Sequence, residues 1–214
     1  MSSLWSWERA FEAIPLLLEG FQITLLATVL GMVIAAILGL AIAILRRSRY
    51  RWISVPVGWI NEFIRQTPLL VQLVFAYYLF TSVEALHIGI AVLGIHYATY
   101  LSEVYRAGIE GVAPGQWEAT RALSMSPVRT WQTVILPQAI RSTLPSLGNY
   151  AVSMFKETPY LFAISVVELV TAAQQFGARN FQYLEAITLA GLIFLIASYP
   201  TSLLVRKLEK RLAY

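Results

Sequence analysis

Cysteine is absent from all 214 residues, which excludes disulfides, thiolate metal sites and a cysteine nucleophile. Charge is scarce as well: 13% of positions are charged, against about 25% in ordinary soluble domains. Hydrophobic residues fill 57% of the chain. So little charge cannot cover a soluble globule, and the solvent implied is lipid. The only histidines are His87 and His96, with no H-E-x-x-H and no ligand cluster, so no metal site is expected. No G-x-x-x-x-G-K followed by Ser or Thr occurs, and none of Lys156, Lys207 and Lys210 follows a glycine. The chain therefore does not hydrolyse ATP through a P-loop. A nucleophile elbow is also missing, so an enzyme is not the expectation.

What is present is a set of uncharged windows. The stretch 23–45 carries no charge and, as a helix, spans about 35 Å, enough to cross a bilayer. It is too long for a signal-peptide core and lacks a basic segment before it, so it reads as a retained helix. Further spans are expected at 66–83, 85–102, 146–170 and 186–205, the fourth interrupted by Lys156 and Glu157. The fold class expected is thus an all-α integral membrane protein: one transmembrane domain, 1–214, with five transmembrane helices. Five crossings put the termini on opposite sides.

Arginine placement sets the direction. Arg46, Arg47, Arg49 and Arg51 follow the first window, whereas Arg9 alone precedes it. Positive-inside bias puts the N-terminus outside and the first loop and C-terminus in the cytoplasm. Threaded onward, most remaining basic residues fall inside, with Arg179 the exception. The net charge of +4 is then a topology signal resting among lipid headgroups, and nucleic acid is not a partner. Ala27, Gly31, Ala35, Gly39 and Ala43 recur every four residues in the first window, a stripe suited to close helix packing.

Between the third and fourth spans lies a long cytoplasmic loop, 103–141. Pro114–Gly115 interrupts the preceding helix, and Trp117–Met125 places Ala119, Ala122 and Leu123 on one helical face. Ser126–Pro127 reads as an N-cap and first-turn proline. That second helix is expected to end at Leu136, before Pro137. Physics alone leaves two readings, a knob that docks into another protein or a loop lying on the membrane.

Glu118-Ala119-Thr120, three residues, Ser124, then Val134-Ile135-Leu136-Pro137 resembles the EAA loop of ABC importer permeases. That pattern runs E-A-A, three residues, G, nine residues, I, any residue, L-P. Spacing is kept, while Thr120, Ser124 and Val134 replace Ala, Gly and Ile. Phe63-Ile64-Arg65-Gln66-Thr67-Pro68-Leu69-Leu70-Val71-Gln72 resembles the F-x-R-G-T-P-L-L-V-Q segment of polar amino acid permeases. Glu103–Glu110 is similar to their segment leaving the third span. Leu147-Gly148-Asn149-Tyr150 through Lys156-Glu157-Thr158-Pro159 is similar to L-G-N-x-x, six residues, K-D-T-S. A narrower likeness, Gly94–Tyr100 with Gly115–Glu118, is to ectoine and hydroxyectoine permeases.

The resemblance implies the membrane subunit of an ATP-driven importer for polar amino acids or a zwitterion such as ectoine, in a bacterial inner membrane. It implies a coupling surface of Glu118, Ala119, Thr120, Leu123, Ser124, Leu136 and Pro137 facing the ATPase. Implied partners are two ATPase subunits, a second or sister permease, an external solute-binding protein and lipid. ATP and Mg would sit on the ATPase, with no cofactor on this chain. The rival is a self-sufficient carrier or channel, which predicts an inverted repeat that five unlike spans do not display.

Polar residues within spans need a partner or a task. Substrate-path candidates are Tyr77, His96, Tyr100, Asn149, Lys156 and Glu157. One seam runs His96, Tyr100, Glu103, Arg106 or Ala107, and Glu110; the other runs Asn149, Ser153, Lys156 and Tyr160. Glu103 and Arg106, three apart, form a structural ion pair or contact substrate. His96 is a satisfied bundle histidine or a lining residue. Pro159 cannot donate to the Phe155 carbonyl, so the fourth helix should kink there, freeing that carbonyl beside Lys156 and Glu157. Both charges either line a cavity or are structural.

The orientation has a direct test in this cysteine-free chain. A Ser48→Cys variant should react with an impermeant thiol reagent only from the cytoplasmic side. Labelling from outside would invert the topology.

Overall fold

The computed structural model describes residues 5–212, and they are helical almost throughout. Helix α1 (Trp7–Arg46) is followed by α2 (Arg51–Gln66), α3 (Leu69–Leu79) and α4 (Ala85–Glu110). Next come α5 (Pro114–Ala122), α6 (Pro127–Thr130), a π-helical segment (Trp131–Ile135) and α7 (Leu136–Glu157). A 3₁₀ stretch (Thr158–Ile164), α8 (Leu169–Asn180) and α9 (Tyr183–Leu212) complete the chain.

The first window lies inside a much longer helix. At 40 residues, α1 extends about 60 Å, because helix formation does not stop where the uncharged stretch begins. Its buried positions are a stripe of mostly small residues that includes Gly20, Ala27, Gly31, Ala35, Gly39 and Ala43. This stripe lies chiefly against α4. A Cβ on Gly39 would sit 2.9 Å from Leu101 Cβ and 3.0 Å from the Ala98 carbonyl oxygen. One on Gly31 would sit 3.0 Å from Met154 Sδ. The two backbones approach as closely as small residues allow, as the spacing predicts. The main buried cluster, with Leu73, Leu93, Tyr97, Leu101, Met154 and Leu161, builds outward from this seam.

Among the described residues, α1, α4 and α9 are each long and apolar enough to cross a membrane. The expected fourth span, 146–170, is not one helix. Its α-helix ends at Glu157, and the α6–Ile164 run meets α8 at 51°. The expected second span, 66–83, holds only the 11 residues of α3, about 16 Å of helix. Thr67 is extended (φ −98°, ψ 141°) before Pro68, because the proline ring disfavours helical geometry in the residue ahead of it.

Pro137 does not end its helix, contrary to expectation. The chain stays helical from Pro127 to Glu157. The π segment immediately before Pro137, in which Leu136 N–H bonds to the Trp131 carbonyl, widens the turn that must accommodate the proline. Position 137 also falls in the first turn of α7, where a missing N–H is tolerated. The Ser126 cap is as expected, its hydroxyl accepting from Arg129 N–H at 3.4 Å.

The end of the bundle where α8 begins is tied by polar groups. Thr24 Oγ1 accepts from Leu169 N–H at 3.2 Å, and buried Glu168 accepts from Thr171 N–H at 2.7 Å and Val170 N–H at 3.0 Å. Together they satisfy the exposed donors at the start of α8. Gly20 of α1 lets this cap approach: a Cβ there would lie 2.9 Å from the Glu168 carbonyl oxygen.

Gly39→Val should lower stability by about 1–3 kcal/mol, because its methyls would wedge α1 from α4. Detergent-extracted protein would show this as earlier thermal aggregation. A variant as heat-stable as the parent would mean the seam can relax.

Candidate functional site

Residues from α4 and α7 meet in the middle of the bundle. Tyr97 and Tyr100 of α4 and Tyr150 of α7 form a three-ring cluster, with centroids 5.8–6.3 Å apart. His96 packs 5.3 Å from Tyr100 and 5.8 Å from Tyr97. Glu157, at the end of α7, accepts the Tyr97 hydroxyl hydrogen bond at 2.8 Å. A carboxylate beside several aromatic faces is suited to hold a small cationic group.

His96 is a satisfied histidine. Its Nδ1 lies 3.1 Å from Gln72 Oε1, and since an amide oxygen only accepts, Nδ1 carries the proton. Gln72 in turn bridges the break between α2 and α3, its amide nitrogen 2.7 Å from the Ile64 carbonyl and 3.0 Å from that of Thr67. The break thereby fixes the orientation of the His96 ring.

The expected polar seam on the fourth helix is off by one residue. Asn149, Lys156 and Tyr160 are exposed, whereas Tyr150 and Glu157 face α4 and Ser153 is half-buried. Lys156 makes no ion pair among the described residues. Two adjacent positions diverge by about 100°, so Glu157 turns inward while Lys156 turns out. The α-helix does end before Pro159, yet the Phe155 carbonyl is not left free. Buried Thr158 donates its hydroxyl to it at 2.9 Å. Tyr77 stands apart from the cluster, its ring against Tyr78 at 5.8 Å.

Glu103 and Arg106 pair at 2.8 Å as expected, within a larger network. Arg46 of α1 also binds Glu103, Arg106 reaches Glu110 at 2.7 Å, and Arg47 lies 3.5 Å from Glu110. Two arginines expected among headgroups therefore clamp the C-terminal end of α1 to α4.

In the loop, Glu118, Ala119, Ala122 and Leu123 are exposed, with Leu123 74% accessible. Thr120 is the exception: it is buried and its hydroxyl donates to the Trp117 carbonyl. Trp117 meets Trp131 edge-on at 5.6 Å, which locks α5 onto the π segment. Leu136 is half-buried and Pro137 exposed. Ser124 adopts φ 51°, the left-handed conformation usually given to glycine. Met125 N–H bonds to the Thr120 carbonyl at 3.0 Å and Ser124 N–H to that of Arg121 at 2.9 Å, a Schellman cap. The loop keeps its shape although serine replaces glycine.

Tyr97, Tyr150 and Gln72 were not singled out in the sequence. Tyr97 and Tyr150 each adjoin a residue that was, because the helix faces were drawn too narrowly. Gln72 was visible only as part of a family segment.

An assembly of this kind, a helical bundle with a broken apolar helix, a central carboxylate and an exposed helix-turn, defines a membrane transport subunit. Residues 27–214 match the model of the binding-protein-dependent transport system inner membrane component, and the chain belongs to that family. It is 43% identical over 207 residues to "Probable amino-acid ABC transporter permease protein y4tG" of Sinorhizobium fredii, covering 95% of this chain and 90% of that protein. With the glutamine transport system permease protein GlnP of Escherichia coli it shares 33% identity, covering 96% and 97% of the two chains. A crystal structure of an amino acid ABC transporter with histidines superposes with a TM-score of 0.88 at 32% identity, covering 97% of this chain and 99% of that one. The MetNI methionine transporter, in an inward-facing form, shares the fold at TM-score 0.78 and 17% identity. The chain is thus a multi-pass permease subunit of the inner membrane.

Proposed function

We propose that this subunit passes a polar amino acid or a similar zwitterion, ectoine among the candidates, by alternating access. The N-terminal end of α1 lies outside, and the C-terminal end of α9 and the loop around α5 lie in the cytoplasm. Two ATPase subunits, which bind ATP and Mg, dock below, and an external binding protein delivers substrate above. The observation that carries the reading is the Glu157–Tyr97 pair, held where a membrane helix breaks and walled by His96, Tyr100 and Tyr150. Broken helices at mid-depth are how transporters expose polar groups to a solute.

Exposed Asn149, Lys156 and Tyr160 support a second permease beside this one. A lysine facing hydrocarbon near mid-membrane costs a few kcal/mol, so that face is covered by a second copy or a sister chain. Lys156 then supplies the cationic counterpart to Glu157 across a shared pathway, matching the two charges of a zwitterion.

Glu157→Gln should cut uptake of a zwitterionic substrate about ten- to a hundredfold, the loss of a charge-assisted contact worth about 1.5–3 kcal/mol. Uptake by reconstituted transporter checks it, with ectoine and common amino acids competing in the same assay. Normal uptake would remove Glu157 from the path, and loss of the assembled complex would make it a structural charge.

Docking is tested separately. Ala119 is exposed on α5, so Ala119→Trp should overfill the ATPase cleft and abolish most substrate-stimulated ATP hydrolysis while the permease still inserts. Unchanged stimulation would place the ATPase contact elsewhere.

A further inference from the structure

We propose that Tyr100 and Tyr150 form the inner shutter of the pathway, and that the groove beneath them between α4 and α7 is its cytoplasmic exit. The proposal rests on the transport reading and orientation given above. Order along the two antiparallel helices carries it. On α4 the chain descends from Tyr97 through Tyr100 and Glu103 to Ala107 and Gly111. On α7 it descends from Glu157 through Ser153 and Tyr150 to Ser146 and Ser142. The Tyr100–Tyr150 contact, at 5.8 Å, therefore lies on the cytoplasmic side of the Tyr97–Glu157 hydrogen bond.

A groove of about 560 Å³ starts at the same two rings and continues past Glu103, Ala107, Ser142 and Ser146. Its volume and its mixture of hydroxyls, small residues and one ion-paired carboxylate suit a small zwitterionic solute. One pair of rings thus lies between the Tyr97–Glu157 hydrogen bond and the groove. A solute leaving Glu157 for the cytoplasm along this seam has to pass between them.

The two rings are held unequally. The Tyr100 hydroxyl lies 3.5 Å from the Arg65 carbonyl, a long contact with the end of α2. The Tyr150 hydroxyl has no hydrogen bond among the described residues, yet it is not among the buried polar atoms left unpaired. It therefore reaches the surface of this subunit. If packing alone were its task, phenylalanine would fill the space without a hydroxyl to hydrate. Below the rings the helices cannot splay easily. A Cβ on Gly108 would lie 2.9 Å from the Ala139 carbonyl oxygen, so α4 and α7 touch backbone to backbone there. Opening is accordingly a rotation of the Tyr150 ring, with the helices pivoting little.

Single cysteines on either side of the rings test this without knowledge of the substrate. Ser146→Cys lies in the groove and Ser153→Cys lies between Tyr150 and Glu157, one turn further out. In inside-out vesicles carrying the full transporter without nucleotide, a small impermeant methanethiosulfonate should modify Ser146→Cys readily. Ser153→Cys should react slowly while Tyr150 is present and on the order of tenfold faster in a Tyr150→Ala background. Tyr150→Phe should keep the slow rate, because the ring is the barrier. Tyr100→Ala provides the second leaf should Tyr150→Ala fail to assemble. A Ser153→Cys rate indifferent to both rings would overturn the shutter. An unreactive Ser146→Cys would overturn the exit groove. Reaction of Ser146→Cys from the external side only would show that the orientation has failed, and reduced uptake in Glu157→Gln is read independently of all these rates.

Discussion

The close approach of α1 to α4 is the constraint on which the other contacts depend. In lipid, apolar side chains gain little by leaving one apolar surface for another, so helices associate through van der Waals contact and shared polar groups. Small residues every three or four positions give α1 a flat face, and Gly39 brings its backbone against the Ala98 carbonyl. Gly31 extends the seam to Met154 of α7, so α1 meets α4 and α7 at one junction. With these axes set, α8 packs on the N-terminal half of α1, and α9 lies against α7 and α8. The polar cluster around Glu157 is positioned by the same seam, since its rings come from α4 and α7.

A second constraint is that every break in a membrane helix must dispose of backbone groups without bulk water. Three of the interruptions are met by named side chains. Thr158 takes the Phe155 carbonyl, Gln72 bridges the carbonyls at the α2–α3 break, and Thr24 with Glu168 satisfies the amides opening α8. Because these partners come from neighbouring turns or helices, breaks and packing stabilise one another. The break after Glu157 leaves one acid facing inward and one lysine facing outward.

The surface around α5 follows different physics. The loop around α5 is built from local signals: a serine cap at Ser126, a Schellman turn at Ser124 and a tryptophan pair. Holding a non-glycine residue at positive φ costs about 1 kcal/mol, and the two cap hydrogen bonds offset it. The result is a rigid exposed turn.

Much of this was legible in the residues alone. Uncharged windows located α1, α4 and α9, arginine asymmetry indicated an orientation, and four-residue periodicity announced the seam, because each is a one-dimensional record of a local or bilayer constraint. The spacing of the cytoplasmic loop was readable for the same reason. Other features were decided only in three dimensions. Proline at 137 reads as a stop, yet a π turn carries the helix through it. Lys156 and Glu157 read as equals, but the rotation of α7 set by the α4 contact sends one inward to Tyr97 and the other out. Arg46 and Arg47 read as headgroup ligands until α4 placed Glu103 and Glu110 beside them. In each case a partner distant in sequence chose between two local outcomes of similar energy, and no pattern within the segment itself encodes that choice.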